Sequence, residues 1–279
     1  MSLFVFFVVL FAALLHAIWN AVVKGGADTL LTTILVTTSA AAIGVVGLPF
    51  LPAPAVSSWP YAGASAALQI GYFLLVARIY RIADMGLTYP LMRGTAPLLV
   101  ALASQAWLGE VLPARAWLGV GVISAGILVM ALGGRRRHAL SGAGLAILSA
   151  GFIAGFTLVD ARGVRLSGAP AAYILWVFLL TGAPFAVWGW LARRRELVPY
   201  ARRNWRAGLV GGAGTLGAYG LALWAMTRAP VAMVAALRET SIVFAAAIAV
   251  VVLKERIAAS RVAAVGVIVA GVVILRLAS

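Results

Sequence analysis

Residues 93–110 read RGTAPLLVALASQAWLGE, and residues 238–255 read RETSIVFAAAIAVVVLKE. Each stretch starts with an arginine and a threonine two positions later, continues as an apolar run and ends in a glutamate. The same offset of 145 residues pairs positions beyond both stretches. The matched residues are Arg93, Thr95, Ala101, Leu108, Glu110, Gly121, Val122, Ile123, Ala125 and Gly126 with Arg238, Thr240, Ala246, Leu253, Glu255, Gly266, Val267, Ile268, Ala270 and Gly271. The chain therefore contains an internal repeat, which constrains the architecture before any single element does.

The composition is that of a membrane protein. Of the 279 residues, 64% are hydrophobic and 10% are charged, and the mean hydropathy is +1.07. Soluble domains carry about 25% charged residues, and a membrane-spanning helix needs about 20 mostly apolar ones. Apolar runs bounded by charges, prolines or glycines predict ten spans, at residues 3–23, 29–51, 61–80, 85–107, 115–132, 142–161, 169–191, 206–226, 230–253 and 260–277.

The repeat divides these spans into two halves, residues 1–138 and 139–279. Because each half has an odd number of spans, the second half enters the membrane with the opposite orientation. The sequence thus predicts an all-α integral membrane protein with ten transmembrane helices, arranged as two inverted five-helix repeats around a central cavity. Secondary transporters that work by alternating access have this architecture. A duplicated structural bundle that transports nothing is the alternative.

Basic residues are distributed unevenly between the two sides of the predicted bundle. The loops after odd-numbered spans hold 15 of them, namely Lys24, Arg78, Arg81, Arg135, Arg136, Arg137, Arg193, Arg194, Arg195, Arg202, Arg203, Arg206, Lys254, Arg256 and Arg261. The opposite side holds five, namely Arg115, Arg162, Arg165, Arg228 and Arg276. Since positively charged loops remain in the cytoplasm, both termini are predicted to lie outside it.

Several kinds of chemistry lack the residues that they need. Cysteine is absent and His16 and His138 are the only histidines, so neither a metal site nor a cofactor is expected. The GxGxxG pattern at residues 212–217 follows no strand and lies in a predicted span, which favours close helix packing over dinucleotide binding. Residues 151–155 fit the GxxxG packing pattern as well. The chain has no P-loop for ATP, and its positive charge indicates membrane orientation, not a nucleic-acid partner.

Three stretches resemble the drug/metabolite transporter superfamily. They are LHAIWN at residues 15–20 with Lys24, YPLMRGTAP at residues 89–97, and LGE at residues 108–110. The segment from Arg238 to Glu255 repeats the later pattern, and the similarity to the EamA-type ten-helix branch covers the whole chain.

The resemblance implies two inverted five-helix halves around a central cavity, with Glu110 and Glu255 ending the fourth and ninth helices. It also implies export of metabolites and amino acids, including aromatic amino acids. Many relatives are drawn with cytoplasmic termini, which conflicts with the distribution of arginines.

Ionisable and polar side chains inside predicted spans are the first candidates for a substrate site, because a bilayer interior makes them costly. His16, Trp19 and Asn20 share one surface of the first helix, where they either face a substrate or join helices by hydrogen bonds. Tyr89 and Arg93 share a face of the fourth helix beside Gly94 and Pro97, which free backbone groups.

The ninth helix offers charges of both signs. Arg238, Glu239 and Thr240 follow one another, as recognition of a zwitterion would require. The alternative is that these charges hold the two halves together or extend to the membrane surface.

Asp160 is a candidate ligand for an amine or a proton, or a partner of Arg162 or Arg165. Amphipathic and aromatic side chains then complete the predicted binding set as the wall of a cavity for an aromatic or lipophilic solute: Gln69, Tyr72, Trp176, Tyr219 and Trp224.

Together these features predict a secondary transporter of the bacterial inner-membrane type, which exports amino acids or related small amphipathic metabolites and catalyses no reaction. Protons are a candidate coupling ion, and a monomer is sufficient because one chain carries both halves. The alternatives are a broad-specificity exporter of lipophilic cations, a lipid-modifying enzyme and a non-transporting membrane scaffold. The lack of clustered catalytic carboxylates or histidines argues against the enzyme.

Overall fold

A computed structural model of the chain describes residues 1–83, 85–131, 139–251, 254 and 258–278. Within these ranges it contains ten α-helices, two short 3-10 helices (Leu48–Phe50 and Val56–Ser58) and no strand. The α-helices are α1 (Leu3–Gly25), α2 (Thr29–Gly47), α3 (Trp59–Ile82), α4 (Met85–Leu108), α5 (Ala114–Ala131), α6 (Ala139–Leu166), α7 (Pro170–Met226), α8 (Val231–Arg238), α9 (Ser241–Val251) and α10 (Ala259–Leu277).

Eight helical stretches of the described part are long and apolar enough to cross a membrane, as judged by length and composition. They correspond to α1, α2, α3, α5, α6, α7, α10 and the combined stretch from Val231 to Val251. The prediction of an all-helical, multi-pass membrane protein is therefore confirmed. The fourth predicted span coincides with α4, which is not among the eight.

Local sequence signals explain where the first two helices begin. Ser2 precedes α1, and its hydroxyl accepts a hydrogen bond from the amide of Val5 at 3.3 Å. Asp28 precedes α2, and its carboxylate accepts one from the amide of Leu31 at 2.9 Å. Each side chain satisfies an amide that has no partner within its own helix.

Two predicted spans, residues 169–191 and 206–226, lie in the single 57-residue helix α7. Its backbone leaves helical geometry at Arg193 (φ −133°, ψ 23°) and at Asn204 (φ −114°, ψ 16°). Before these bends, Gly182 and Gly189 approach Thr37 and Ile34 of α2, so this limb runs antiparallel to α2. Beyond the bends, Gly208 and Gly212 approach Leu35 and Ser39 in ascending order. The chain thus reverses direction within α7.

The ends of the helices form two faces of the molecule. At the face where α1 begins, here called the N-terminal face, the amide of Ala55 donates to the carbonyl of Ser167 at 2.9 Å, and Arg276 reaches the carbonyl of Met1 at 3.4 Å. The opposite face, here called the basic face, carries the turn between α1 and α2 and the bends of α7, which meet where Tyr200 contacts Thr32.

The contact between α5 and α10 is reciprocal. A Cβ atom added to Gly126 would lie 2.9 Å from Cγ1 of Ile268, and one added to Gly271 would lie 2.7 Å from Cγ1 of Ile123. Gly126 and Gly271 are counterparts at the repeat offset, as are Ile123 and Ile268. Both glycines are required by this close approach, because any side chain would overlap the facing isoleucine.

The glycine patterns give mixed results. The prediction for residues 212–217 is confirmed, because added Cβ atoms at Gly212, Gly214 and Gly217 would lie 2.7 to 3.1 Å from α1 or α2. The prediction for residues 151–155 is wrong at Gly151, where a Cβ atom would meet nothing within 4 Å. The spacing of two glycines does not specify which face of a helix meets a neighbour.

Substitution of Gly126 or Gly271 by leucine is expected to lower the free energy of unfolding by about 1–3 kcal/mol, because the tight α5–α10 contact must open. Gly121→Leu and Gly266→Leu are matched controls, since these counterpart glycines have open space around them. Denaturation in detergent, followed by tryptophan fluorescence, measures the effect. Equal losses in all four variants would contradict the close contact.

Candidate functional site

An ion pair joins the two halves of the chain deep in the bundle. Nε of Arg93, on α4, lies 2.9 Å from Oε2 of Glu239, between α8 and α9. The two side chains are only 9% and 6% exposed. The contact is an ion pair and not a hydrogen bond, because Nε and Nη2 of Arg93 and Oε2 of Glu239 are all buried without a hydrogen-bond partner among the described residues.

Regular helical hydrogen bonds are missing on both sides of this pair. Glu239 and Thr240 separate α8 from α9, and their amides bond to the carbonyls three residues earlier, Ala236 and Leu237, at 3.1 and 3.0 Å. The Thr240 hydroxyl also donates to the Leu237 carbonyl at 2.7 Å. On α4, Pro97 removes the amide that would otherwise bond to the carbonyl of Arg93. Broken helices at membrane depth occur where the backbone is enclosed by protein or lines a cavity.

Arg238 has a different environment from Arg93. Its Cζ lies 5.0 Å from the centre of the Tyr219 ring, a cation–π arrangement. Among the described residues, no carboxylate lies within ion-pair distance of it, since the ion pairs there involve Arg93, Arg165 and Arg193. Arg238 is also half-buried rather than fully enclosed.

Asp160 is the centre of a hydrogen-bond network that includes Tyr219. Its Oδ2 accepts hydrogen bonds from Tyr219 at 2.5 Å and from Ser65 at 2.7 Å, and its Oδ1 accepts one from Tyr173 at 3.0 Å. Gln69 in turn donates to the Ser65 hydroxyl at 2.9 Å. Asp160 itself is 0% exposed. The carboxylate therefore joins α3, α6 and both limbs of α7.

Ser65 and Tyr173 were not identified from the sequence. A serine among alanines in a helix, or a tyrosine near a helix start, has no distinctive pattern around it. Only the fold shows that the position of Tyr173 is constrained, because a Cβ atom on Gly163 would lie 2.2 Å from the Tyr173 hydroxyl. Gly163 leaves the space in which Tyr173 reaches Asp160.

The polar group of α1 is organised around His16. Trp19 Nε1 donates to His16 Nδ1 at 3.3 Å, and the Asn20 amide donates to the His16 carbonyl at 2.8 Å. With Nδ1 as acceptor, Nε2 carries the proton of a neutral ring. His16 lies within electrostatic range of Arg93 and Arg238, so α1 contributes to the same region. The Asn20 side chain thus bonds to the backbone of its own helix.

Aromatic rings form one side of this region. Tyr72 contacts Phe156 with ring centres 5.8 Å apart, and Phe156 contacts Tyr219 at 6.1 Å. Tyr72 and Tyr89 both lie within electrostatic range of Arg93. These edge-to-face contacts link α3, α6 and α7 beside the charged groups.

Two predicted site residues make their ring contacts nearer the N-terminal face. Trp176 packs on Trp59 at the start of α3, with centres 4.8 Å apart. Trp224 packs on Phe4 at 6.0 Å, and Arg228 lies over it at 5.1 Å. The structure thus brings together His16, Tyr72, Tyr89, Arg93, Asp160, Tyr219, Arg238 and Glu239, whereas the ring contacts of Trp176 and Trp224 lie outside this cluster.

A second polar network lies at the N-terminal face. Gly109 adopts φ +68°, which glycine tolerates, and the turn allows the Glu110 amide to bond to the Ser104 carbonyl at 3.3 Å. The Glu110 carboxylate then accepts hydrogen bonds from Arg165 at 2.6 Å and from the amide of Val231 at 2.8 Å. Glu110 thereby caps the first turn of α8. Its repeat counterpart, Glu255, lies outside the described residues.

Arg165 completes this network. Its Nε donates to the carbonyl of Met226 at 2.8 Å, and Nη2 lies 3.3 Å from the carbonyl of Ala229. These carbonyls belong to the end of α7 and the turn into α8, where backbone acceptors are left unpaired. In the described part of the chain, no group of three carboxylate or imidazole side chains is arranged to hold a metal ion.

Comparisons with known proteins agree with this architecture. Residues 140–277 match the family model of EamA-like transporters. A protein known from a crystal structure is 21% identical, with a TM-score of 0.75 over 98% of this chain and 96% of its own. At this identity the likeness shows a shared fold only. No curated protein matches the sequence.

Substitution of Asp160 by alanine is expected to lower the free energy of unfolding by about 2 kcal/mol, because three hydrogen bonds lose their acceptor at roughly 0.6 kcal/mol each within a membrane. Asp160→Asn, which keeps an acceptor oxygen, should lose less. Glu196→Ala, at an exposed carboxylate, should show no measurable change. If Asp160→Ala unfolds like the wild type, the hydrogen-bond network does not stabilise the bundle.

Proposed function

Because the chain belongs to the EamA-like transporter family, we propose that it exports amino acids, including aromatic ones, or related small amphipathic metabolites. The observation that carries this proposal is the environment of Arg238, a half-buried guanidinium with no carboxylate in ion-pair distance among the described residues. An unpaired cation in a bilayer interior is costly, so a bound anion is its natural partner. A substrate carboxylate provides that charge.

The surroundings of Arg238 favour a zwitterion over a simple anion. Glu239 follows it directly and pairs with Arg93 at 2.9 Å, so a carboxylate for the amine of a substrate lies next to the Arg238 guanidinium in the sequence. Tyr219 and Tyr72 supply aromatic surface at this level, and His16 and Tyr89 supply further polar groups. The proposed substrate contacts are therefore Arg238 and Glu239 for the charged ends, with the rings beside an apolar side chain.

The proposed architecture has ten spans in two inverted five-helix repeats, residues 1–138 and 139–279. It counts α4 as a span, divides α7 at Arg193 and Asn204, and joins α8 to α9. Support comes from the reciprocal contacts of Gly126 with Ile268 and of Gly271 with Ile123 between antiparallel helices. Reciprocity between counterparts is what a two-fold axis perpendicular to the helices produces. Such an axis lies in the membrane plane in inverted-repeat transporters.

The proposed mechanism is alternating access, with the Glu110 network as the closure on the N-terminal face. Glu110 belongs to the first half, whereas its partners Arg165 and Val231 belong to the second. Rocking of the halves must break these two contacts to open this face. A monomer is sufficient for this cycle, and protons are the candidate coupling ion.

The proposed location is a bacterial-type inner membrane, with the basic face in the cytoplasm and both termini outside. The bias of 15 basic residues against five supports this orientation. Among the described residues, Asp28 and Glu196 are the carboxylates at the basic face, and both lie near Arg193.

Export of lipophilic cations is the second candidate. Asp160 and Glu239, beside the aromatic rings of Tyr72, Phe156 and Tyr219, are the observation that favours it. Against it stands the complete enclosure of Asp160, whose two oxygens already accept three hydrogen bonds. A non-transporting scaffold is less favoured, because it does not require an unpaired arginine at this depth.

Arg238→Ala is expected to reduce saturable amino-acid uptake into proteoliposomes at least tenfold, since one charge-assisted contact contributes about 1.5–3 kcal/mol. Glu239→Gln should reduce uptake as well, whereas the exposed Arg162→Gln should not. The panel comprises radiolabelled aromatic, branched and small amino acids and one lipophilic cation, each with and without a pH gradient.

The outcomes of this experiment separate the candidates. Amino-acid flux that survives Arg238→Ala removes this residue from the site. Transport of the cation alone, abolished by Glu239→Gln or Asp160→Asn, establishes the second candidate. A folded wild-type protein that moves none of the solutes supports the scaffold.

Glu110→Gln is expected to increase opening of the N-terminal face severalfold, because the amide keeps the shape of the carboxylate but loses the charge that holds Arg165. The chain has no cysteine, so Gln69→Cys introduces a single reporter in the interior. Its labelling rate by a membrane-impermeant thiol reagent is measured in right-side-out and inside-out vesicles. Glu196→Gln, at the basic face, is the control. Unchanged labelling from the N-terminal face would contradict the proposed closure.

A further inference from the structure

The link between the two limbs of α7 is a helical segment of its own. Residues 194–203 keep helical geometry between the non-helical residues Arg193 and Asn204. Ten residues span roughly 15 Å, more than the 8–10 Å between packed helices. Because the limbs run in opposite directions, this crossing segment lies across the basic face of the bundle and does not continue through it.

One side of the crossing segment is anchored to the bundle. The Tyr200 hydroxyl lies 2.6 Å from the hydroxyl of Thr32, and Leu197 packs near Gly189 in the first limb of α7. At the start of the segment, Arg193 forms an ion pair with Glu196 and lies 3.9 Å from Asp28. The hydrogen bond from Arg193 lowers the pKa of Glu196, so this carboxylate stays ionised and is already paired.

The exposed positions of the crossing segment and of the start of the second limb are cationic. Arg194, Arg195, Arg202, Arg203 and Arg206 are exposed, and none of them is within ion-pair distance of a carboxylate among the described residues. Each guanidinium keeps its fork of donors available, a geometry that matches the oxygens of a phosphate. Five such groups in thirteen consecutive positions form a strongly positive surface at the membrane boundary.

Tryptophans place this surface at the depth of lipid headgroups. Arg194 lies 4.5 Å from the Trp190 ring centre, and Arg206 lies 5.4 Å from that of Trp205. Both indoles are about half exposed, as is typical of residues at a bilayer interface. An open cleft here is lined by Trp190, Arg194, Arg195, Val198, Pro199 and Arg202, so that apolar surface lies next to three guanidinium groups.

We propose that the cleft on the crossing segment binds the headgroup of an anionic phospholipid, such as phosphatidylglycerol, with the arginines around its phosphate and its chains beside Trp190. Arginine clusters next to transmembrane helices attract acidic lipids, and basic pockets between such helices hold their headgroups. This site lies at the basic face and is independent of the solute site around Arg238. Its occupancy would tie the crossing segment, and with it both limbs of α7, to one leaflet.

The test compares purified wild type with Arg195→Gln/Arg202→Gln, titrated with short-chain phosphatidylglycerol in detergent, with bound lipid counted by native mass spectrometry. The variant is expected to bind about thirtyfold more weakly, from the energy that each arginine contributes near an anionic surface. Arg115→Gln/Arg162→Gln removes the same charge from exposed positions at the N-terminal face and should bind like the wild type. Arg195→Lys/Arg202→Lys keeps the charge and should recover most of the affinity.

Three results would overturn the proposal. Equal weakening in both glutamine variants would mean that net charge, and not the cleft, attracts the lipid. Equal affinity of the wild type for phosphatidylcholine of the same chain length would remove the role of the anionic headgroup. Displacement of the lipid by equimolar glycerol phosphate would identify a site for a free phosphate instead. None of these measurements depends on transport, so the outcome is separate from that of the uptake experiment.

Discussion

The contact between Arg93 and Glu239 imposes the strongest constraint on this molecule. A single charge in a bilayer costs several kcal/mol, and an enclosed charge that loses its partner costs more. The 2.9 Å pair therefore fixes the distance between α4 and the break between α8 and α9. Regular helical hydrogen bonds are missing beside it, at Pro97 on α4 and at Glu239 and Thr240 between α8 and α9. The remaining groups of the cluster, from His16 to Tyr219, are arranged around this junction of the two halves.

Much of the fold follows from the sequence, because a bilayer permits few solutions. Hydropathy predicted the helices, and their bounds in the structure lie within a few residues of those predicted for the spans at 3–23, 85–107 and 260–277. Two features were not predicted. Residues between 191 and 206 were expected to be a loop, but residues 194–203 are helical between the bends at Arg193 and Asn204, and Leu197 and Tyr200 in this segment pack against the bundle. The ninth span is divided at Glu239 and Thr240, whose side chains are compatible with a continuous helix.

The candidate site was predictable where charge makes a residue conspicuous. Arg93, Asp160, Arg238 and Glu239 stand out in apolar runs, and the structure gathers them with His16, Tyr72, Tyr89 and Tyr219. Their pairing was not predictable, because it depends on which helix faces which. Asp160 is held by hydroxyl groups from α3 and α7 and not by Arg162 or Arg165. Arg165 instead serves Glu110 and two backbone carbonyls at the end of α7.

The shortness of α8 has an electrical consequence. Its eight residues span roughly 12 Å, so Arg238 and Glu239 lie well within a hydrocarbon core of about 30 Å. A monovalent ion bound there has crossed only part of the transmembrane potential, which amounts to about 2.3 kcal/mol per 100 mV for the full distance. A zwitterion carries no net charge through this field. Membrane voltage therefore acts on the movement of a cation from this depth. It does not act directly on the movement of a neutral amino acid, and affects that movement only through charges of the protein itself.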